Sequence, residues 1–262
     1  MSAHVAVVVP ARDEAANIVG CLLAVRASLA AAVHAGAVDG VTVAVVAHRC
    51  ADHTATLART SLVGMPHDVI EDSGSATVGE VRRLGVEVAL ARLNVGSRLA
   101  ERTWILNTDA DSIVGPRWVT DVLRHGQAGR VAVVGMTRLR GALRSAAARE
   151  AYRQIIDAGV SGPEHDHVYG ANLAVRADAY AAVGGFRGVP IGEDRALVDA
   201  LIAHGLPVAR PRDLVVATSA RRTGRAAGGL ADLLADIDRR CAPDLASRPI
   251  GSPVASPGVA GT

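Results

Sequence analysis

Two aspartates that follow an apolar run are the residues of this chain with the clearest chemistry. Asp109 and Asp111 close the segment 103–111, which begins Thr-Trp-Ile-Leu. In an extended strand, positions two apart face the same side, so the two carboxylates are able to converge. Carboxylates that close resist ionising together unless a cation lies between them. Mg²⁺ and Mn²⁺ take such oxygen ligands together with water and phosphate oxygens. The pair therefore predicts a metal site that binds a diphosphate.

The spacing of the two aspartates is weak evidence by itself, because the chain is rich in aspartate. With 18 aspartates in 262 residues, composition supplies about one Asp-x-Asp by chance. Asp236 and Asp238 are such a pair, in a predicted helix where positions two apart face different sides. The prediction for Asp109 and Asp111 therefore depends on their place after a strand.

Composition excludes several classes of function. The chain is 50% hydrophobic, enough for one large domain, and its net charge of +2 comes without a long basic run, which argues against a nucleic-acid partner. All 28 basic residues are arginine. Without lysine, Schiff-base chemistry and a phosphate-binding Walker motif are both excluded. Phosphate must be recognised by arginine, backbone amides or metal.

The cysteines and apolar runs bear on location. Cys21, Cys50 and Cys241 have neither the number nor the spacing of a disulfide framework or a zinc site. No apolar run has the length of a transmembrane segment, although peripheral membrane contact stays open. The run 5–9 is followed at once by charged residues and is typical of a first strand, not a secretory signal. We expect a cytoplasmic protein.

Apolar runs alternate with helical segments along the chain. Predicted strands are 5–10, 41–47, 67–71, 103–108, 131–137, 168–176 and 214–218, and predicted helices lie near 14–35, 51–62, 78–93, 116–125, 143–157, 194–204 and 230–241. Continuous valine-rich strands joined by helices indicate an α/β fold with a buried, mostly parallel sheet. The segment 242–262, rich in Pro, Gly, Ser and Ala, is predicted to be a disordered tail.

Polar turns follow the first, second and fourth predicted strands. In open parallel sheets, ligands bind beyond the carboxyl ends of the strands. The first turn reads Pro10-Ala-Arg12-Asp-Glu14 and the second includes Asp52. No Gly-x-Gly-x-x-Gly segment follows the first strand, which argues against a dinucleotide-dependent oxidoreductase. Acidic residues there favour hydrogen-bond donors such as a base or a ribose.

In order, these segments resemble the family 2 glycosyltransferases, which have the GT-A fold and use nucleotide-sugar donors. The similarity runs from residue 5 to about residue 234. The matching segments are 10–14, Asp52 with Thr54, 82–85, 109–111, 170–172, 184–186 and 193–194. Each segment is common by itself, but the ordered set is specific.

The resemblance implies a function and a role for each matching residue. A single domain, 1–241, would bind the nucleotide through 1–115 and the acceptor through 116–241. Asp194, with Glu193, would be catalytic, and Asp111, with Asp109, would bind Mg²⁺ or Mn²⁺. The implied reaction moves one sugar to an acceptor hydroxyl with inversion, the acceptor being a glycan, a lipid or a small molecule. Substrate-binding residues would be Pro10, Arg12, Glu14, Asp52, Arg82, Asp109 and Asn172.

The chain departs from the family pattern at two places. Ala47 stands where many members carry an acidic residue that contacts the nucleoside. Late in the chain, where a further metal-binding histidine is expected, the sequence has Arg221, Arg222 and Arg225. We predict that at least one of these arginines binds the diphosphate bidentately, and we assign this role to Arg222. The Gln-x-x-Arg-Trp signature and the membrane helices of processive synthases are absent from the sequence, which favours single addition.

Two other functions remain alternatives. A sugar-phosphate nucleotidyltransferase is also α/β and uses metal, but the first strand lacks the glycine-rich basic turn that holds a triphosphate. A non-catalytic nucleotide-sugar-binding protein of the same fold agrees with Ala47, whereas the presence of Asp109, Asp111 and Asp194 argues against it.

Overall fold

A computed structural model of the chain describes residues 2–224 and 228–242. The predicted tail beyond residue 242, and Arg225, lie outside the described residues. The strands are β1 (Ala3–Ala11), β2 (Val38–His48), β3 (His67–Asp72), β4 (Thr103–Asn107), β5 (Ala132–Val134), β6 (Met136–Arg140), β7 (Val160–Ser161), β8 (Glu164–His165), β9 (Leu173–Arg176), β10 (Val208–Ala209) and β11 (Val215–Ser219). The helices are α1 (Ile18–His34), α2 (Thr54–Ser61), α3 (Val78–Arg92), α4 (Ser97–Ala100), α5 (Trp118–Gln127), α6 (Ala146–Ala158), α7 (Ala177–Ala182), α8 (Glu193–Ala203) and α9 (Leu230–Arg240), with a 3₁₀ turn at Gly170–Asn172.

A seven-stranded sheet in the order β10-β5-β9-β4-β1-β2-β3 forms the centre of the molecule. The run from β4 through β1 and β2 to β3 is parallel, as is the pair of β10 with β5, whereas β9 is antiparallel to both of its neighbours. A second, two-stranded sheet pairs β6 with β11 in parallel. The predicted α/β fold with a mostly parallel sheet is confirmed.

Helices cover both faces of the central sheet. Alternate positions of β1 separate the two layers: Val7 packs into the cluster that includes α1 and α5, and Val8 into the one that includes α8. This burial on both faces explains why β1 is an uninterrupted apolar run instead of an alternating one. Among the described residues, no helix combines the length and apolarity that a membrane span requires.

Two predicted strands are interrupted where the two sheets meet. The segment 131–137 divides at Gly135, so that β5 joins the central sheet and β6 the smaller one. A β-carbon on Gly135 would lie 2.2 Å from Nδ2 of Asn172 and 2.5 Å from the carbonyl oxygen of Leu214, so only glycine fits this junction. The predicted strand 168–176 likewise begins as the 3₁₀ turn, and only Leu173–Arg176 is extended.

Candidate active site

A cleft of about 650 Å³ lies where the turns after β1 and β4 meet the C-terminal part of the chain. This volume is in the range of small-molecule sites. The lining residues that sequence analysis singled out are Pro10, Arg12, Glu14, Arg82, Asp109, Asp111, Glu193, Asp194 and Arg221. Because β1, β2 and β4 run parallel, their carboxyl ends meet at one edge, and the cleft forms there.

Asp109 and Asp111 both line the cleft, but a turn, not a strand, positions them. The strand β4 ends at Asn107, so the expected alternation of a strand does not apply to the two carboxylates. Asp111 is buried, and the hydroxyl of Thr218 lies 3.4 Å from its Oδ1. Burial, and next the negative charge of Asp109, raise the pKa of Asp111 from 3.8 to about 6. The site therefore resists holding both negative charges without a cation.

Arg82 supplies one cation to this group of carboxylates. It lies on α3, whose first turn is fixed by a capping box between Thr77 and Glu80. Its Nη2 donates to Oδ1 of Asp109 at 2.7 Å, and its Nε donates to Oε1 of Glu193 at 3.2 Å. Burial by itself would lower the pKa of Arg82, but the two carboxylates outweigh burial and raise it.

The backbone at Gly170 packs against the guanidinium of Arg82. A β-carbon on Gly170 would lie 2.4 Å from Nη2 of Arg82, so the absence of a side chain at Gly170 makes room for the guanidinium. Nη1 of Arg82 is buried and has no hydrogen-bond partner among the described residues. Arg82 therefore links α3 to the start of α8 and to the turn after β4.

Arg221 supplies the second cation. It follows β11, donates to Glu14 through Nη1, and has its Nη2 3.3 Å from Oδ2 of Asp111. Glu14 and Asp111 are both buried. Of Arg221 and Arg222, the two arginines of this cluster that the structure describes, Arg221 is thus the one that lines the cleft. Sequence analysis named this cluster but assigned the role to its neighbour.

Asp194 and Glu193 begin α8 at the other wall of the cleft. Gly192, at a φ of 79°, turns the chain into the helix, a conformation that glycine adopts without strain. Oδ2 of Asp194 accepts a hydrogen bond from the amide of Gly170 at 2.8 Å, and Oδ1 accepts one from the amide of Arg195 at 2.7 Å. These bonds fix the carboxylate facing the cleft in a defined orientation.

Two predicted substrate-binding residues, Asn172 and Arg222, lie outside the cleft lining and bind other protein groups. Asn172 is 1% exposed and bonds to the carbonyl oxygens of Met136 and Leu214, both at 2.9 Å. Nε of Arg222 donates to Oδ2 of Asp238 at 2.8 Å, and Arg222 does not line the cleft. The structure thus brings neither side chain to the other site residues, because each is already saturated by protein groups.

Asp52 holds the second and first turns together. Its Oδ2 accepts the amide of Ala15 at 3.0 Å, and its Oδ1 accepts the amide of Thr54 at 2.9 Å. Asp13, Cys50 and Asp52 bring potential metal-ligating atoms within 4.8 Å of one another. Because both aspartates of this group bind backbone amides across the two turns, the group braces the turns.

His48 is a cleft residue that lies one position beyond the predicted strand 41–47. It ends β2 beside Ala47 and lines the cleft near Pro10 and Arg12. Its Nδ1 lies 2.7 Å from Oδ2 of Asp72, which β3 places opposite it in register. The neighbouring strand thus supplies an acidic partner for His48, one position after Ala47. This contact depends on the pairing of β2 with β3, and no local sequence motif predicts it.

The residues of the cleft fit a divalent metal. Asp109 and Asp111 offer oxygen ligands, and burial, followed by the charge of Asp109, raises the pKa of Asp111, so a bound cation would stabilise its ionised form. Such a site favours a hard cation. Asp111, with Asp109, would hold it.

Solved structures with the same fold are enzymes that transfer sugars. A mannosyltransferase from Pyrobaculum calidifontis, solved with GDP-Man and Mn²⁺, has a TM-score of 0.62 at 17% identity over 86% of this chain and 59% of that chain. TarS of S. aureus, solved with UDP-GlcNAc, has a TM-score of 0.59 at 12% identity over 89% of this chain and 66% of that chain. This chain thus spans less than two thirds of either protein's length. Its sequence matches no family model and no curated protein.

These likenesses confirm the GT-A fold that the sequence predicted. At such low identities they establish the fold alone.

Proposed function

We propose that this protein is a metal-dependent, inverting glycosyltransferase that moves one sugar from a nucleoside-diphosphate sugar to an acceptor hydroxyl. One observation supports the proposal most directly: a single cleft contains buried Asp111, two arginines that each pair with an aspartate, and Asp194 on the facing wall. The two arginines are Arg82 and Arg221. Anion-binding and proton-accepting groups thus lie in the same cavity. The unpaired cysteines agree with a cytoplasmic location.

The donor would lie along the carboxyl edge of the sheet. His48, Pro10 and Arg12 line the end where the nucleoside would bind, and Arg221 and Arg82 lie where its diphosphate would be. Guanidinium groups match phosphate oxygens bidentately, and the unpartnered Nη1 of Arg82 is a buried donor for one of them. A bound Mg²⁺ or Mn²⁺ would neutralise the charge that develops on the leaving diphosphate.

The chemical step needs one base. The acceptor oxygen attacks the anomeric carbon and forms the new C–O bond while its proton passes to a carboxylate oxygen of Asp194. The bond between the anomeric carbon and the diphosphate oxygen breaks, and its electron pair leaves with the nucleoside diphosphate. Attack from the face opposite the leaving group inverts the anomeric centre. Preorganised arginines stabilise the leaving group where charge develops.

A thermal-shift screen of nucleotide sugars, including GDP-Man and UDP-Glc, with and without Mn²⁺ tests donor binding. A ligand that binds only the folded protein at a hundredfold excess over Kd stabilises it by about 2.7 kcal/mol. Product analysis tests transfer, because release of nucleoside diphosphate supports it and release of pyrophosphate indicates a nucleotidyltransferase. A flat screen across donors, with or without Mn²⁺, would overturn the proposal.

Asp194→Asn tests the base. We expect kcat to fall by about 10²–10⁴ while donor binding, measured by the same thermal shift, stays near normal. Asp199→Asn is the matched control, since Asp199 is an exposed aspartate of the same helix. Retained turnover in the Asp194 variant would show that another group accepts the proton.

A further inference from the structure

The charged and the uncharged residues that line the cleft lie in different parts of it. Every charged residue that lines it belongs to the donor edge or to the Glu193-Asp194 pair. Beyond that pair, among the described lining residues, the wall formed by the segments 168–171, 190–192 and 228–233 carries no charged side chain. We call this wall the apolar wall. It lies past the proposed base, where an acceptor would enter.

Ile191 is an exposed aliphatic residue of the apolar wall. Its side chain is 59% exposed, although it stands two residues before Glu193. Across from it, a β-carbon on Gly228 would lie 2.8 Å from its Cδ1, so the start of α9 approaches it closely. Leu230 and Leu233 continue the surface along that helix. Exposed aliphatic groups that converge on a cavity are typical of a ligand-binding surface.

A few hydroxyl groups lie at the base of the apolar wall. Thr137 lines the cleft and is 7% exposed, and its hydroxyl lies within reach of the phenols of Tyr152 and Tyr169, where hydrogen bonding offsets part of the rise that burial causes in their pKa values. Tyr169, which lines the cleft, has its pKa raised to about 12 by burial, so its phenol stays neutral. A hydroxyl both donates and accepts hydrogen bonds, so this small group of hydroxyls beside an aliphatic surface is able to bind one hydroxyl of a ligand.

This pattern does not suit a glycan. A sugar carries a hydroxyl on nearly every carbon, and each one buried against an aliphatic surface loses its hydrogen bonds to water. Protein sites for sugars need many donors and acceptors, whereas the apolar wall offers a few hydroxyls beside aliphatic groups. An apolar molecule with one hydroxyl matches both parts, because its body covers the aliphatic groups and its hydroxyl reaches the polar base.

We infer, on the basis of the proposed function, that the acceptor is an alcohol with an alkyl or aryl body, bound by Ile191, Leu230 and Leu233 with its polar end near Thr137 and Asp194. The apolar wall thus determines which acceptor binds, and the charged residues at the carboxyl edge of the sheet determine which donor binds. The enzyme would thus glycosylate hydrophobic alcohols in preference to saccharides.

Two acceptor panels test this inference with the full chain. The donor that shifts Tm is held constant with Mn²⁺, and n-octyl and benzyl alcohols are compared with methyl glucoside and a linear trisaccharide. Glycosylated products are measured by mass spectrometry, and binding to the donor-loaded protein by saturation-transfer NMR. We expect products and binding with the alcohols at concentrations where the saccharides give neither.

Variants of the apolar wall test whether the acceptor binds there. Ile191→Ser should raise KM for the alcohol about tenfold with donor KM unchanged. Ile202→Ser is the matched control, because Ile202 is 47% exposed on α8 outside the cleft lining. Thr137→Val should raise the same KM about fivefold with donor KM unchanged, because it removes one hydroxyl of the polar base while keeping the side-chain volume.

The outcomes separate the two proposals. If the donor binds but saccharides are bound or glycosylated in preference to the alcohols, the acceptor inference is overturned and the glycosyltransferase stands. Binding of neither panel by the donor-loaded protein also overturns the inference. If no nucleotide sugar binds, the proposed function fails and the acceptor inference falls with it.

Discussion

Asp111→Asn should stabilise the metal-free protein near pH 7 and remove its response to Mn²⁺. Burial and Asp109 raise the pKa of Asp111 from 3.8 to about 6, so the folded protein binds this proton more tightly than the unfolded chain does. The stabilisation by that proton is complete below about pH 4 and is lost as pH rises through about 6. The neutral amide keeps the uncharged state at every pH.

The magnitude follows from the displacement of the pKa. At about 1.4 kcal/mol for each pKa unit, ionising Asp111 near pH 7 costs the fold at most about 3 kcal/mol. Arg221 loses one partner in the variant but keeps Glu14, so we expect about half of that gain. For a domain of this size, the gain corresponds to a rise in Tm of about 3–6 °C.

Calorimetry of the wild type and the variant, with EDTA and with Mn²⁺ at about pH 5 and about pH 7, measures both effects. The Tm difference without metal should be smaller at the lower pH, where Asp111 is largely protonated. Asp236→Asn is the control, because Asp236 belongs to the other Asp-x-Asp and pairs with surface arginines; it should shift Tm little at either pH. A variant that melts below wild type near pH 7, or keeps the full Mn²⁺ shift, would refute the reasoning.

Three further substitutions separate binding from folding. Arg82→Met should cost about 1.5–3 kcal/mol in urea unfolding, because it removes the charged hydrogen bonds of a buried guanidinium to Asp109 and Glu193, whereas exposed Arg83→Met should change stability by less than about 0.5 kcal/mol. Equal effects of the two would contradict the pairing described for Arg82. Asn172→Ala should lower the free energy of unfolding by about 3 kcal/mol and leave donor KM unchanged; a raised donor KM at unchanged stability would instead support the substrate contact predicted from sequence. Gly170→Ala should lower kcat/KM at least tenfold because its β-carbon would overlap the Arg82 guanidinium; Gly115→Ala, with open space around it, should be neutral, and an active Gly170 variant would show that this packing is not needed.

The sequence by itself determined the architecture and the edge at which the site forms. Valine-rich runs buried on both faces predict parallel strands, because only helices on both sides can cover them. The polar turns after β1, β2 and β4 then have to meet at one edge, and in the structure they do. These inferences depend on local periodicity and chain order, which a sequence contains directly.

Only the tertiary structure decided which member of each adjacent pair faces the cleft. Arg82 faces it and Arg83 pairs with Glu87 on the surface, while Arg221 faces it and Arg222 binds Asp238. Neighbours in sequence have the same residue type and the same local pattern, so nothing local distinguishes them. The choice is made by charges that folding brings close, as with Arg221 and Glu14, which are 207 positions apart. Asn172 shows the same limit, because the carbonyl groups that saturate it belong to strands that meet only when the two sheets join.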